Sequence, residues 1–243
     1  MPKTPAQKHL ARVMAEREAT QAAAANPFGE MQGTQHELTL AQLHAHMRQL
    51  KDIQSTEQKI EAKRKLLPEY FDYLDGVLEA DAGAKDPVVT TLLVWMLDIG
   101  SWVQALQVAE YCMRHALPLP DRFNRNLPTL LLDETSEAAI KGQLTGVDAL
   151  VVLAKVDELT QGHDTHDQAR AKLHKAIGWA AIGKTATHDL NADEIKQLPV
   201  DQVQIALTHL RRAIALNDKV GVKKDVDRLE LRLKKEAPPD SPN

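Results

Sequence analysis

Apolar residues recur along this chain at steps of three and four, the spacing of a single helix face. From Leu38 to Leu67 the series Leu40, Leu43, Met47, Leu50, Ile60 and Leu66 predicts one long helix, with a stripe that weakens around Gln54 and Glu57. A narrow stripe on a long charged helix suits a helix-to-helix seam within or between subunits, so Leu40, Leu43, Met47 and Leu50 are candidate oligomerisation positions. One arm of an intramolecular hairpin is the competing reading. Pro68 opens a further helix through Tyr70, Phe71, Leu74, Val77 and Leu78, and the break from Gly83 to Pro87 begins another. Residues 87–115 form the clearest core segment. Val88, Val89, Leu92, Leu93, Trp95, Met96 and Leu97 make a helix apolar most of the way round. Gly100 then suits a left-handed C-terminal position and Ser101 the next N-cap, before a helix bearing Trp102, Val103, Leu106, Ala109 and Met113. Trp95 and Trp102 sit inside these stripes and read as core rather than as base-stacking residues.

At the N-terminus Thr4 and Pro5 fit an N-cap and first helical position, and the helix runs to about Ala25, where Asn26-Pro27-Phe28-Gly29 ends it. Its apolar residues, Leu10, Val13 and Met14, are few, so it must dock on a neighbour or order on a partner. The pattern further predicts helices around 128–142 and 146–161. In the last third, KLHKAIGWAAIGK (172–184) and QIALTHLRRAIALN (204–217) have the small-residue spacing of a tetratricopeptide-like pair, separated by an insertion-like stretch at 185–201. A final helix from Val222 to about Lys235 places Val226, Leu229 and Leu233 on one face. The stretch EAPPDSPN has the composition of a disordered tail.

Composition agrees with helices. Aromatics are 4% of the 243 residues, while Ala, Leu, Gln, Lys and Glu abound. The most apolar run, VVTTLLVWML, is too short to span a bilayer, and no secretory signal pattern opens the chain, so a cytosolic protein without membrane contact is expected. Cys112 is the only cysteine, which excludes an internal disulfide and a thiolate metal cluster, and it reads as a small buried apolar residue. Net charge is −4, yet residues 1–65 carry ten Lys/Arg against seven Asp/Glu and residues 211–235 carry nine against four. Two basic terminal regions thus flank an acidic middle. Phosphate binding depends on such local charge rather than on the global sum, although Lys/Glu-rich helices also use it simply to solvate an outer face. Lys3, Lys8, Arg12 and Arg17 at one end, and Lys223, Lys224 and Arg228 at the other, are the candidate phosphate-contacting residues. Arg122, Phe123 and Arg125 lie in a Pro-punctuated loop that suits either nucleic-acid contact or a phenylalanine pinned to the core.

Catalytic chemistry is not apparent. GHDTHDQ at 162–168 crowds His163, Asp164, His166 and Asp167, but Thr165 and Gln168 fit a capping box with Asp167 at the positive end of a helix, so no metal site is assigned. His44 and His46 lie two apart on a helix and cannot share an ion, and Asp133, Glu134 and Glu137 lack a second convergent pair. Walker A, HExxH, Gly-rich dinucleotide and Ser/His/Asp arrangements are missing from the sequence, so no catalytic residue and no cofactor is expected.

The ordered blocks TPAQKHLARV (4–13), KRKLLPEYFDYLDGVLE (63–79), ARAKLHKAIGW (169–179) and ALTHLRRAIALNDKVGVKKDVDRLELRLKK (206–235) resemble the terminase small subunit of P2-like tailed phages, a family also described as the terminase endonuclease subunit. The resemblance implies a subunit that binds double-stranded packaging-site DNA in the host cytoplasm, assembles into a homo-oligomeric ring and presents the DNA to the large motor subunit. It carries over no catalytic residue, and whether cleavage belongs to this chain stays open. The expected fold is all-α: a bundle of αα-hairpins with a long helix near the N-terminus and a tetratricopeptide-like C-terminal pair. Its expected parts are a basic N-terminal helix (1–26), a linker (27–37), the long helix (38–67), a central bundle (68–162), the tetratricopeptide-like region (163–236) and the tail (237–243). The alternatives are a tetratricopeptide-like protein adaptor that does not bind DNA, and a metal-dependent DNA endonuclease.

Overall fold

The computed structural model describes residues 3–26, 29–120 and 125–236; Pro27, Phe28, Arg122, Phe123 and the 237–243 tail lie outside the described residues. Twelve α-helices and one 3-10 turn form the described fold, and the only strand-like pairing in it is an isolated bridge between Glu30 and Lys85. The all-α expectation is met. The chain divides into two compact units, Met1–Leu127 and Pro128–Asn243, a boundary that falls inside the 68–162 segment.

The first unit contains α1 (Pro5–Ala25), α2 (Thr34–Asp52), α3 (Thr56–Leu66), a 3-10 turn (Leu67–Tyr70), α4 (Phe71–Ala80), α5 (Pro87–Asp98) and α6 (Trp102–Arg114). Thr4 and Gln7 close a reciprocal capping box on α1, with Pro5 in the first turn. The helix then docks on α4 rather than standing apart. Ala11, Ala15 and Ala19 line its buried face, and Gly76 of α4 brings the backbones so close that a Cβ there would lie 2.2 Å from the Arg12 carbonyl oxygen. Glu18, also buried, accepts the Gln35 and His36 amides at 2.9 Å each and so caps α2, whose own N-cap is Gly33 at φ 131°.

The single helix expected over 38–67 is two helices. The chain leaves the helical region at Ile53, and Ser55 restarts it by accepting the Gln58 amide at 3.3 Å. No residue of α3 is fully buried. Every residue from Val88 to Leu97 is buried, as the pattern requires, and Gly100 sits at φ 74° before Ser101. Trp95 is in the core and stacks edge-on against Tyr70 at 6.1 Å, whereas Trp102 is only half-buried.

The second unit contains α7 (Leu127–Ile140), α8 (Gly146–Thr160), α9 (Asp167–Ala181), α10 (Ala192–Gln197), α11 (Val200–Leu216) and α12 (Lys223–Glu236). The α9 and α11 helices pack closely against each other, because Gly178 leaves room for Leu210 and the Ala206 backbone. The short α10 occupies the insertion between them, capped reciprocally by Asn191 and Glu194. Trp179, Leu190, Ile195, Val203, Leu207, Leu210, Val226 and Leu229 belong to one core cluster, with Leu233 packed against it.

Candidate nucleic-acid interface

A phosphate-binding surface requires cations that are exposed and not already engaged by the chain's own carboxylates. At the N-terminal end half of the expected set is engaged. Arg12 makes a two-pronged pair with Glu79, its Nε donating to Oε2 at 2.7 Å, and Lys3 donates to the Glu69 carbonyl at 3.0 Å, with Asp72 at 3.8 Å. The hydrogen bond and charge of Glu79 hold the Arg12 pKa above its usual value. Lys8 and Arg17 are exposed and make no ion pair in the described structure. They lie nine residues apart, however, which on an α-helix turns them about 180° from each other. The N-terminal helix therefore does not gather Lys8, Arg12 and Arg17 on one free face. Its cations fasten it to α4 as much as they face solvent.

The other terminal helix is different. Buried Asp225, Val226 and Leu229 fix the inner side of α12, which leaves Lys223, Lys224, Asp227, Leu231, Lys234 and Lys235 exposed along the outer side. None of those four lysines makes an ion pair or hydrogen bond in the described structure. Arg228, the third expected contact at this end, is a fastener instead: it donates to the Leu190 carbonyl and lies 3.4 Å from Asp189. Arg232 does the same with the Ile195 and Leu198 carbonyls at 3.2 and 3.3 Å.

The helix is further anchored through Asp225, which accepts the Trp179 indole at 2.9 Å and the Lys184 ammonium at 2.6 Å. Burial alone would lower the Lys184 pKa, but its bonds to Asp189 and Asp225 outweigh burial and raise it. The sequence marked Lys223 and Lys224. Lys234 and Lys235 complete the same face and were legible from the 3.6-residue period; the anchoring roles of Arg228 and Arg232 depend on distant carbonyls and were not.

Of the expected oligomerisation positions, Leu43 and Leu50 are buried in the first unit, where they serve its core. Leu40 and Met47 are half-buried at a groove of 470 Å³ that they share with His36, His44, Asp86 and the Pro118–Leu119–Pro120 segment. Beneath it His36 Nδ1 meets the Tyr73 hydroxyl at 2.8 Å, and that hydroxyl donates to Asp86 at 2.6 Å. Burial pushes the Asp86 carboxyl above its ordinary pKa, and His36 and Tyr73 partly offset this. Cys112 is buried, its thiol pushed up to about 12 by desolvation.

The His/Asp loop of the second unit borders a groove of 480 Å³. The α9 helix is capped at His166, with no side-chain cap bond, so the expected Thr165/Gln168 box does not form. Arg170 instead ties the loop down through Asp157 and Thr160. Near it His174 and His209 face each other across α9 and α11 with their Nδ1 atoms 2.9 Å apart. Burial, then the neighbouring His209, lowers the His174 pKa to about 4, and burial lowers that of His209 as well. Among the described residues no group of three or more His, Cys, Asp or Glu side chains converges as a metal site, and no helix is long and apolar enough to cross a membrane.

Residues 40–168 match the family model described as phage small terminase subunit. The chain is 36% identical over 239 residues to the "Terminase, endonuclease subunit" of Escherichia phage P2, covering 97% of this chain and 88% of that protein. It is 24% identical over 181 residues to the "Probable terminase, endonuclease subunit" of Haemophilus phage HP1 (strain HP1c1), covering 72% of this chain and 62% of the relative. No solved structure matches. With one relative aligned along nearly its whole length and the family model spanning more than half of it, the chain belongs to the phage small terminase subunit family.

Proposed function

We propose that this chain is the DNA-recognition and adaptor subunit of its terminase: it binds double-stranded packaging-site DNA in the host cytoplasm, assembles into a ring and presents the DNA to the large motor subunit. Membership of the family makes it a component of the phage DNA-packaging machinery. The observation that supports a direct DNA role is the set of exposed, unpaired lysines at 223, 224, 234 and 235 on a helix whose inner face is firmly anchored. Lys223 and Lys224 stand in the first turn, where a helix dipole disfavours positive charge, so they are poor candidates for a stabilising role.

For assembly, Leu40 and Met47 remain partly accessible, and Leu38 on the same helix is 63% exposed. The relatives carry "endonuclease subunit" in their names. For this chain we assign cleavage to the assembled terminase, as among the described residues no group of three or more His, Cys, Asp or Glu side chains is placed to hold a metal ion. Native mass spectrometry of the full chain, with and without a duplex from the phage genome end, tests the reading. A closed oligomer of defined stoichiometry that takes up DNA supports it. A monomer that ignores DNA overturns it and favours a protein adaptor, and a magnesium-dependent nick lost on replacing Asp164 and Asp167 would return catalysis to this chain.

A further inference from the structure

We infer that α12 enters the major groove of duplex DNA, with its two lysine pairs on the phosphates of the opposing strands and Asp227 and Leu231 directed at base edges between them. The inference rests on the DNA-binding reading above and specifies how that binding is done. Lys223 and Lys224 stand eleven residues before Lys234 and Lys235, so the pairs are separated by about 16 Å along the helix axis. That span brackets the roughly 12 Å width of the major groove, which accommodates an α-helix. The crest of the outer face, midway between the pairs, is occupied by neither lysine nor arginine but by Asp227 and Leu231.

Leu231 is 54% exposed in the middle of a charged helix. Asp227 lies within one turn of Lys223 and Lys224 yet pairs with neither in the described structure. A carboxylate can accept from the cytosine N4 amino group, and an apolar side chain can contact the thymine methyl, both of which are displayed in the major groove. The lysines then supply the sequence-independent attraction that outweighs the repulsion between Asp227 and the backbone. Pre-organisation completes the argument. Asp225, Arg228 and Arg232 fix the inner face to Trp179, Lys184 and the carbonyls of residues 190, 195 and 198, so the outer face is presented without a further ordering cost.

The test uses the full chain and two DNA probes, a fixed genome-end duplex and a random-sequence duplex pool. For wild type, Lys223→Gln/Lys224→Gln/Lys234→Gln/Lys235→Gln, and Asp227→Ala/Leu231→Ala, affinity is measured between 50 and 200 mM salt and the preferred sequence is selected from the pool. Circular dichroism confirms that each variant is folded. Four phosphate contacts contribute about 3.6 to the salt slope, or about 150-fold in affinity over that interval, and the quadruple variant is expected to lose this dependence. The double variant is expected to keep the salt slope but to lose defined positions from the selected sequence. A quadruple variant with an unchanged slope would overturn the placement on α12, and an unchanged selected sequence in the double variant would overturn entry into the groove. Wild-type protein that binds neither probe would instead sink the DNA-binding reading on which the inference stands.

Discussion

Replacing Gly76 by alanine sets two effects of opposite sign against each other. In an isolated helix the change stabilises by about 1 kcal/mol, because alanine is the stronger helix former. In this fold the new Cβ would lie 2.2 Å from the Arg12 carbonyl oxygen and 3.0 Å from the Ala15 Cβ. The first obstacle is backbone and cannot rotate away, so α1 must retreat by roughly an ångström to restore ordinary contact. Overpacking of this kind costs about 1–3 kcal/mol. Here it also pulls Glu18 from the Gln35 and His36 amides and Arg12 from Glu79, since all are carried on α1. We expect a net loss of about 2 kcal/mol, which at an m-value of about 2 kcal/mol/M lowers the urea midpoint by roughly 1 M. Hydrogen exchange should quicken in α1, α4 and the first turn of α2 and stay unchanged in α9–α12. Gly178→Ala is the comparison: there the closest atoms, at 2.7 Å, belong to the Leu210 side chain, so a smaller loss confined to the second unit is expected. If Gly76→Ala is as stable as wild type, helix propensity has won and the close contact between α1 and α4 does not exist as described.

Three further outcomes follow from the buried polar groups. Glu18→Ala leaves the Gln35 and His36 amides without their acceptor and should cost about 2 kcal/mol, with Glu18→Gln less severe; fraying of residues 34–37 in hydrogen exchange is the local check, and an intact first turn would refute the capping role. Asp225→Ala removes the acceptor of both the Trp179 indole and the Lys184 ammonium, and we expect a loss of about 3 kcal/mol by urea unfolding together with a shift in Trp179 fluorescence; an unperturbed spectrum would contradict the contact. The lowered pKa values of His174 and His209 mean that the folded state resists protonation while the unfolded state takes up protons near pH 6.5. Their contribution is therefore complete above pH 6.5 and is lost as the pH falls toward 4. His174→Gln should flatten the pH dependence of the urea midpoint in that window, and an unaltered slope would show that the pair does not titrate this way.

Helices whose apolar residues are dense and contiguous were legible in the sequence, as with Val88–Leu97 and the Gly100–Ser101 turn, because local spacing and burial there agree. The break after Asp52 is less obvious. Ile53 continues the apolar rhythm and no glycine or proline interrupts it, yet Ser55 and Gln58 have the S-x-x-Q spacing of a helix start and could have signalled the restart. Asn191 and Glu194 gave the same kind of signal for α10. The candidate interface was legible only in part, because a sequence counts lysines and arginines without revealing which of them are engaged. Arg12 finds Glu79 sixty-seven residues away, and Arg228 reaches back thirty-eight to a backbone carbonyl. Residue type offered one hint. Arginine, with its forked donors, serves as the fastener at 12, 228 and 232, while the unengaged cations of α12 are lysines.

The attachment of α12 also bears on how this sequence can drift over time. Arg228 and Arg232 bind the main-chain oxygens of Leu190, Ile195 and Leu198, and every amino acid supplies such an oxygen. Substitutions in the 189–199 segment can therefore accumulate without releasing the helix, provided that the path of its backbone and the apolar contacts of Leu190 and Ile195 persist. Deletions that reroute this backbone would not be tolerated in the same way. Among related chains, variation in the insertion should be frequent in residue identity and rare in length, while the two arginines that read its path stay fixed.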